Sequence, residues 1–299
     1  MAPESTPEAK SISSGVSYIP FGIPGLDGQV RGIPTGSTVL LAGASGARGD
    51  AFTYTSLATL MLAKHRPEMV PNGIARRSEA IPESVTYITL SHDREHVYSE
   101  LDAVLDGYQF EALTEHMTIA DFSQRSMELL PVPDPLFDAR RSDDGIEQPG
   151  AKPPEREAPE ETFERLLTDI SDRVSDGAET LIVVDSLTDL ERATAFGLPQ
   201  NHEVAFLMGL REAVVNWGNV AFVKLDRPAG DVRSDELIHG LLHGSVYFYS
   251  NDKGFETYRT MRVGSFGGAL DTERQTVFES LIGPTGFRAK ATKKIGPSN

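Results

Sequence analysis

LLAGASGARGDAF, residues 40–52, reads as a buried strand, a loop of small residues and the first turn of a helix. That order is the layout of a phosphate-cradling loop, G-x-x-x-x-G-K-[ST]. The register is kept but the chemistry is not. The chain reads Gly43-Ala44-Ser45-Gly46-Ala47-Arg48-Gly49-Asp50, with Arg48 at the last glycine, Gly49 at the lysine and Asp50 at the hydroxyl residue. Such a loop works through backbone N–H groups at a helix N-terminus, a lysine on the β- and γ-phosphates and a hydroxyl on Mg²⁺. The glycines keep the backbone part open. Gly49 brings no charge, and Asp50 puts a carboxylate where phosphate oxygens would lie. Arg48 is the one substitute cation, free to meet a phosphate, Asp50 or a neighbouring chain.

Around the loop, strands and helices alternate. TVLLAG (38–43), VTYITL (85–90), MTIADF (117–122), TLIVV (180–184) and NVAFVKL (219–225) are short, apolar and β-rich. Helical spacing marks 50–64, the stripe Val97, Leu101, Val104, Leu105 and Tyr108, the run from Phe163 to Val174, and that from Val204 to Val214. Residues 66–84 read as a loop. Segments 245–250, 255–263 and 274–281 read as an antiparallel run at the sheet edge. The fold class is therefore α/β, with a mostly parallel sheet, helices on both faces and antiparallel edge strands. Ligands in such folds sit at the carboxyl ends of the strands, where the 40–52 loop and Asp185 both fall. Asp185, after the most apolar strand, fits either a Mg²⁺-binding aspartate or a cap on the next loop.

The chain has 299 residues and 39% hydrophobic residues, enough for one large core. Residues 1–16 read as a disordered tail without the pattern of a signal peptide, and 17–291 as a single domain. An exposed, flexible insert at 131–160 carries seven prolines, and a short tail follows at 292–299. No apolar run approaches the ~20 residues that cross a bilayer, so no membrane partner is expected. With no cysteine there is no disulfide or thiolate metal site, and a reducing cytoplasm fits. The net charge is −16, from 44 acids against 28 bases, only eight of them lysines. That bias suits molar internal salt, where the Debye length falls to ~3 Å and self-repulsion is screened. Nucleic acid is an unlikely partner of such a surface.

Residues 21–37, FGIPGLDGQVRGIPTGS, carry the specific signal. Gly22, Pro24, Gly25, Leu26, Asp27, Gly32, Ile33, Pro34, Gly36 and Ser37 resemble, in register, the opening of KaiC-like proteins of the RecA superfamily. LIVVDSLTDL resembles the Walker B strand of that family, and TVFESLIGPTGFRAKA its final hairpin. With the acidic bias, the resemblance extends to haloarchaeal paralogues of the kind labelled HTR-like. It implies a RecA-like P-loop NTPase fold in which Gly43 to Asp50 and Asp185 line a degenerate nucleotide site, with Asp185 a metal ligand only if Mg²⁺ binds.

Active members carry paired glutamates after the second strand, where this chain has Ser91 and His92. Asp93 and Glu95 fall in a different register and suit a helix cap. His92 is either a substitute base or an exposed loop histidine. Active members also reach a neighbour's nucleotide with a K-x-R pair. Here the matching segment is Arg262-Val263-Gly264, which leaves Arg262 as a candidate subunit-interface residue. Three chemical roles are lost together. The expectation is a pseudo-ATPase that requires no cofactor and acts in regulation or signalling through a protein partner or a homo-oligomer. An ATP- and Mg-binding sensor or slow ATPase with a rebuilt loop is the alternative, and a recombinase-like DNA-binding protein a further one.

Overall fold

A computed structural model describes residues 17–44, 46–131, 158–175, 179–198, 200–227, 236–253, 256–264, 266 and 277–292. The expected N-terminal tail, the C-terminal tail after Thr292 and most of the expected insert, 132–157, lie outside them. The insert's last residues are helical, since a helix opens at Pro159.

The described chain begins with a two-stranded antiparallel pair, β1 (Tyr18–Ile19) and β2 (Ile33–Pro34). Then follow β3 (Ser37–Ala44), α1 (Gly49–His65), the one-turn α2 (Asn72–Ala75), β4 (Ser84–Thr89), α3 (Arg94–Val104), α4 (Gly107–Glu115) and β5 (Met117–Asp121). After these come α5 (Ser123–Glu128), α6 (Pro159–Ser175), β6 (Thr180–Asp185), α7 (Leu187–Ala195), α8 (Gln200–Trp217) and β7 (Val220–Arg227). The described chain closes with α9 (Glu236–Leu241), β8 (Gly244–Lys253), β9 (Glu256–Val263), β10 (Val277–Gly283) and β11 (Gly286–Ala291).

Nine strands make one sheet in the order β11-β10-β9-β8-β3-β7-β6-β4-β5. From β8 to β5 every pairing is parallel, and β9 to β11 continue the sheet antiparallel. The expected α/β architecture is thus present. One detail differs: β8, expected in the antiparallel run, pairs parallel with β3 on one side and antiparallel with β9 on the other.

Strand alternation divides the core. Val39 and Leu41 of β3, with Leu181 and Val183 of β6, pack on the α1 side. Leu40 and Ala42, with Ile182 and Val184, pack on the side of α6, α7 and α8. All eight residues of β3 are buried, because helices cover both faces. A strand with no wet face reads as a continuous apolar run, as 38–43 does.

Three expectations about helices change. The stripe 97–108 is two helices, because Asp106 caps α4 in a box with Gln109; Tyr108 falls on the second and is exposed. The 66–84 loop contains short helical turns that bury Val70, Ile74 and Ile81. A further helix, α7, follows Asp185 where no helix was expected.

The 21–37 motif has a structural task. Both oxygens of Asp27 accept main-chain N–H groups, Phe21 N at 2.6 Å and Ile23 N at 2.8 Å, which folds GIPGLD into a compact corner. Phe21, Ile23 and Leu26 are buried beneath it. Gly25 has φ +85°, and a Cβ there would lie 1.9 Å from the Ala289 carbonyl oxygen, so only glycine fits. Ala289 N donates to the Pro24 carbonyl at 2.9 Å, and Ser56 Oγ to the Phe21 carbonyl at 2.6 Å. The motif thereby joins the last hairpin to α1.

Candidate functional site

The 43–50 loop leaves the carboxyl end of β3 and enters α1. Gly43 lies against Phe248 of β8: a Cβ would come within 2.9 Å of the Phe248 Cβ. Ala47 is buried and its N–H donates to the Ala44 carbonyl at 2.9 Å. Gly46 and Arg48 both take left-handed backbone angles, with φ +74° each. For arginine that conformation is strained. Gly49 opens α1 and Asp50 stands in its first turn, where the helix dipole favours a carboxylate. Ser45 lies outside the described residues.

Asp50 does not meet Arg48. Its Oδ1 pairs with Lys224 Nζ at 2.6 Å, and Asp185 Oδ2 pairs with the same nitrogen at 2.7 Å. Lys224 comes from β7, the strand between β3 and β6, so its side chain enters between the loop and the end of β6. The ammonium is buried, as is Asp185, whereas the Asp50 side chain is 55% exposed. Burial alone would lower the Lys224 pKa, but Asp185 and Asp50 together hold it well above its ordinary value. Burial likewise pushes Asp50 up, and Lys224 more than reverses this, so the Asp50 carboxyl titrates below its ordinary range.

Asp185 has a second partner, the hydroxyl of Tyr87 on β4, which donates to the same oxygen. Burial and the Asp185 charge raise the Tyr87 pKa well above its ordinary value, so the phenol stays a donor. Tyr54 of α1 lies beside Tyr87, with ring centroids 6.3 Å apart, and donates to Glu100 at 2.6 Å. Asp226, one residue past Leu225 on β7, has its pKa raised by burial and by the surrounding aspartates, against the pull of Lys224.

The residues at the glutamate positions are engaged elsewhere. Ser91 Oγ donates to Asp189 Oδ2, as does Ser186 Oγ at 3.0 Å, while Arg192 bonds the other oxygen at 2.9 Å. His92 is exposed and stacks on His96 at 4.3 Å. Asp93 caps α3, accepting His96 N at 2.8 Å, the role its register allowed.

The loop, Asp50, Lys224, Asp185, Asp226 and Glu100 surround a cleft of about 260 Å³. Arg48 turns to the cleft's rim, where its Nη1 donates to the Ser280 carbonyl at 2.8 Å. Arg262 lies over the Tyr247 ring at 5.4 Å. The structure therefore gathers Gly43, Ala44, Gly46, Arg48, Gly49, Asp50 and Asp185 at one cleft, buries Ala47 away from it, and places Arg262 on β9 against Tyr247. Among the described residues no group of three His, Asp or Glu side chains could hold a metal ion.

The sequence reading missed Lys224 and Tyr87. A signal for Lys224 was present: it is the one charge inside the apolar run NVAFVKL, in a lysine-poor chain. A lysine within a buried strand needs a counter-ion, and two acids at strand and helix ends supply it. Tyr87 gave no such signal, since an aromatic in a strand reads as core.

Among solved structures, the chain is similar to a KaiC-like protein from the hyperthermophilic archaeon Pyrococcus horikoshii. The TM-score is 0.59 at 17% identity, over 92% of this chain and 99% of that one. At that identity the likeness is one of fold, a KaiC-like, RecA-type α/β sheet. No protein-family profile and no curated protein sequence matches the chain. Among the described residues, no helix is long and apolar enough to cross a membrane.

Proposed function

We propose that this chain is a catalytically silent RecA/KaiC-like protein, a pseudo-ATPase that acts in regulation or signalling through protein contacts. The observation that carries the reading is the position of Lys224 Nζ between Asp50 and Asp185. The loop has lost its own lysine, and Lys224, the buried cation at the cleft, is already neutralised by two carboxylates. A phosphate brought to this loop meets the Asp50 carboxylate, and the nearest buried cation is already shared between Asp50 and Asp185. Asp185, the residue that would hold Mg²⁺, already takes Lys224 and the Tyr87 hydroxyl on one oxygen. No carboxylate stands at Ser91 or His92 to activate water, and a transferring phosphoryl group needs both metal and cationic clamps.

A turnover assay tests this. ATP hydrolysis in molar KCl should be absent, and light scattering should give the same mass with and without ATP. Turnover near about 1 per second, lost on Asp185→Ala, would overturn the reading.

A further inference from the structure

Two arginines brace the outside of the same loop. Arg48 Nη1 donates to the Ser280 carbonyl on β10 at 2.8 Å, and Arg259 Nε of β9 donates to the Gly46 carbonyl at 2.8 Å. Gly46 and Arg48 share one turn. In the antiparallel register Thr260 faces Glu279, so Arg259 and Ser280 are the next cross-strand neighbours. The two guanidinium groups are thus pinned around the same turn beside the cleft, near enough for the charge of Arg259 to act on Arg48. Each is fixed by one bond to main chain and keeps the rest of its five N–H donors. Among the described residues neither has a carboxylate partner.

The arrangement is unfavourable in the free chain. Arg48 holds a left-handed backbone, and burial together with the charge of Arg259 pulls its pKa below the ordinary value. An anion between the two groups would relieve the repulsion. Their pinned geometry also lowers the entropy lost on binding it.

We propose that Arg48 and Arg259 form a socket for a carboxylate presented by a second copy of this chain. Asp50 lies in the same turn, half-exposed, with Asp185 and Asp226 behind it. A dianionic phosphate at the rim would face all three, whereas a single carboxylate accepts two forked guanidinium groups at half the charge. Forty-four acids against 28 bases make such carboxylates abundant on every copy, while the socket itself is a local positive site on a chain of net charge −16. Direct forked hydrogen bonds also persist in molar salt, where longer-range attraction is screened.

The inference rests on the protein-contact half of the proposed function. Sedimentation of the full chain across a range of concentrations in molar KCl tests it. A concentration-dependent dimer is expected, weakened about tenfold or more by Arg259→Gln and by Arg48→Gln. Arg259→Lys, which keeps the charge but loses the fork, should fall between. Thermal melts of the same variants, close to that of the natural chain, exclude unfolding as the cause. A monomer at every concentration, or dimerisation unchanged in the double Gln variant, overturns the socket. Neither outcome touches the absence of turnover. Intact association with ATP hydrolysis would do the reverse, sinking the silent-site reading alone.

Discussion

Asp50 Oδ1 lies 2.6 Å from Lys224 Nζ, although one residue stands in the first turn of α1 and the other deep in β7. The helix supplies an acid where a phosphate loop has a hydroxyl. The neighbouring strand supplies the cation that the loop lacks. Asp185 completes the set from β6, so three adjacent elements are tied at the carboxyl end of the sheet.

The two ends of this ion pair differ in burial, and their removal should differ accordingly. Lys224→Met leaves Asp185, 5% exposed, without its cation, and is expected to lose about 3 kcal/mol or more of stability. Asp50→Asn removes an acid that is 55% exposed and leaves Lys224 paired with Asp185, so its loss should stay below about 1 kcal/mol. Urea melts of both variants at neutral pH check the order. Equal losses would mean that Asp185 does not depend on Lys224.

The Asp27 corner makes a prediction about pH. Burial, against its main-chain hydrogen bonds, pushes the Asp27 carboxyl from 3.8 up to about 6. A raised acid binds its proton more readily folded than unfolded. Its contribution therefore increases as pH falls from about 6 to about 4, and is flat above that window. Compared with Asp27→Asn, the natural chain should gain about 3 kcal/mol across the window. Asp50, whose pKa is depressed, acts the opposite way: its contribution is present above its unfolded value and is lost as pH falls through the folded one. Denaturant melts of the two proteins at several pH values separate these slopes. A constant difference would show that Asp27 titrates normally.

Rebuilding the loop should restore binding before chemistry. Arg48→Gly, Gly49→Lys and Asp50→Thr together replace the phosphate lysine and the Mg²⁺ hydroxyl, remove the repelling carboxylate and relieve the left-handed arginine. Ser91 remains bonded to Asp189, and no water-activating glutamate is added. The triple variant should bind ATP with Mg²⁺ and still not turn it over. Failure to bind would mean that the loop backbone is not shaped for phosphate.

The sheet was legible because its central parallel strands, β3, β6 and most of β7, are buried on both faces and so leave near-continuous apolar runs such as TVLLAG and TLIVV. The 21–37 motif was legible only as a resemblance; the corner that Asp27 makes by accepting the Phe21 and Ile23 N–H groups is a tertiary feature no periodicity reports. The helix break at Leu105 to Gly107 was not: the apolar residues on either side keep a helical period, and the cap formed by Asp106 with Gln109 is a local hydrogen-bond event inside it. The candidate site was legible as a set of losses. Its replacement was not, because Lys224 and Tyr87 reach it from strands far away in sequence. Periodicity reports which face a residue occupies, but not which charge it meets there.

Calorimetric titration of the natural chain with ATP and Mg²⁺ in molar KCl tests the central claim, that the Asp50–Lys224–Asp185 set occupies the place of a nucleotide's phosphates. The account predicts no saturable heat. Saturable binding by the natural chain, abolished by Lys224→Met in protein shown to be folded, would contradict it: Lys224 would then be a working phosphate ligand and Asp50 a group that gives way.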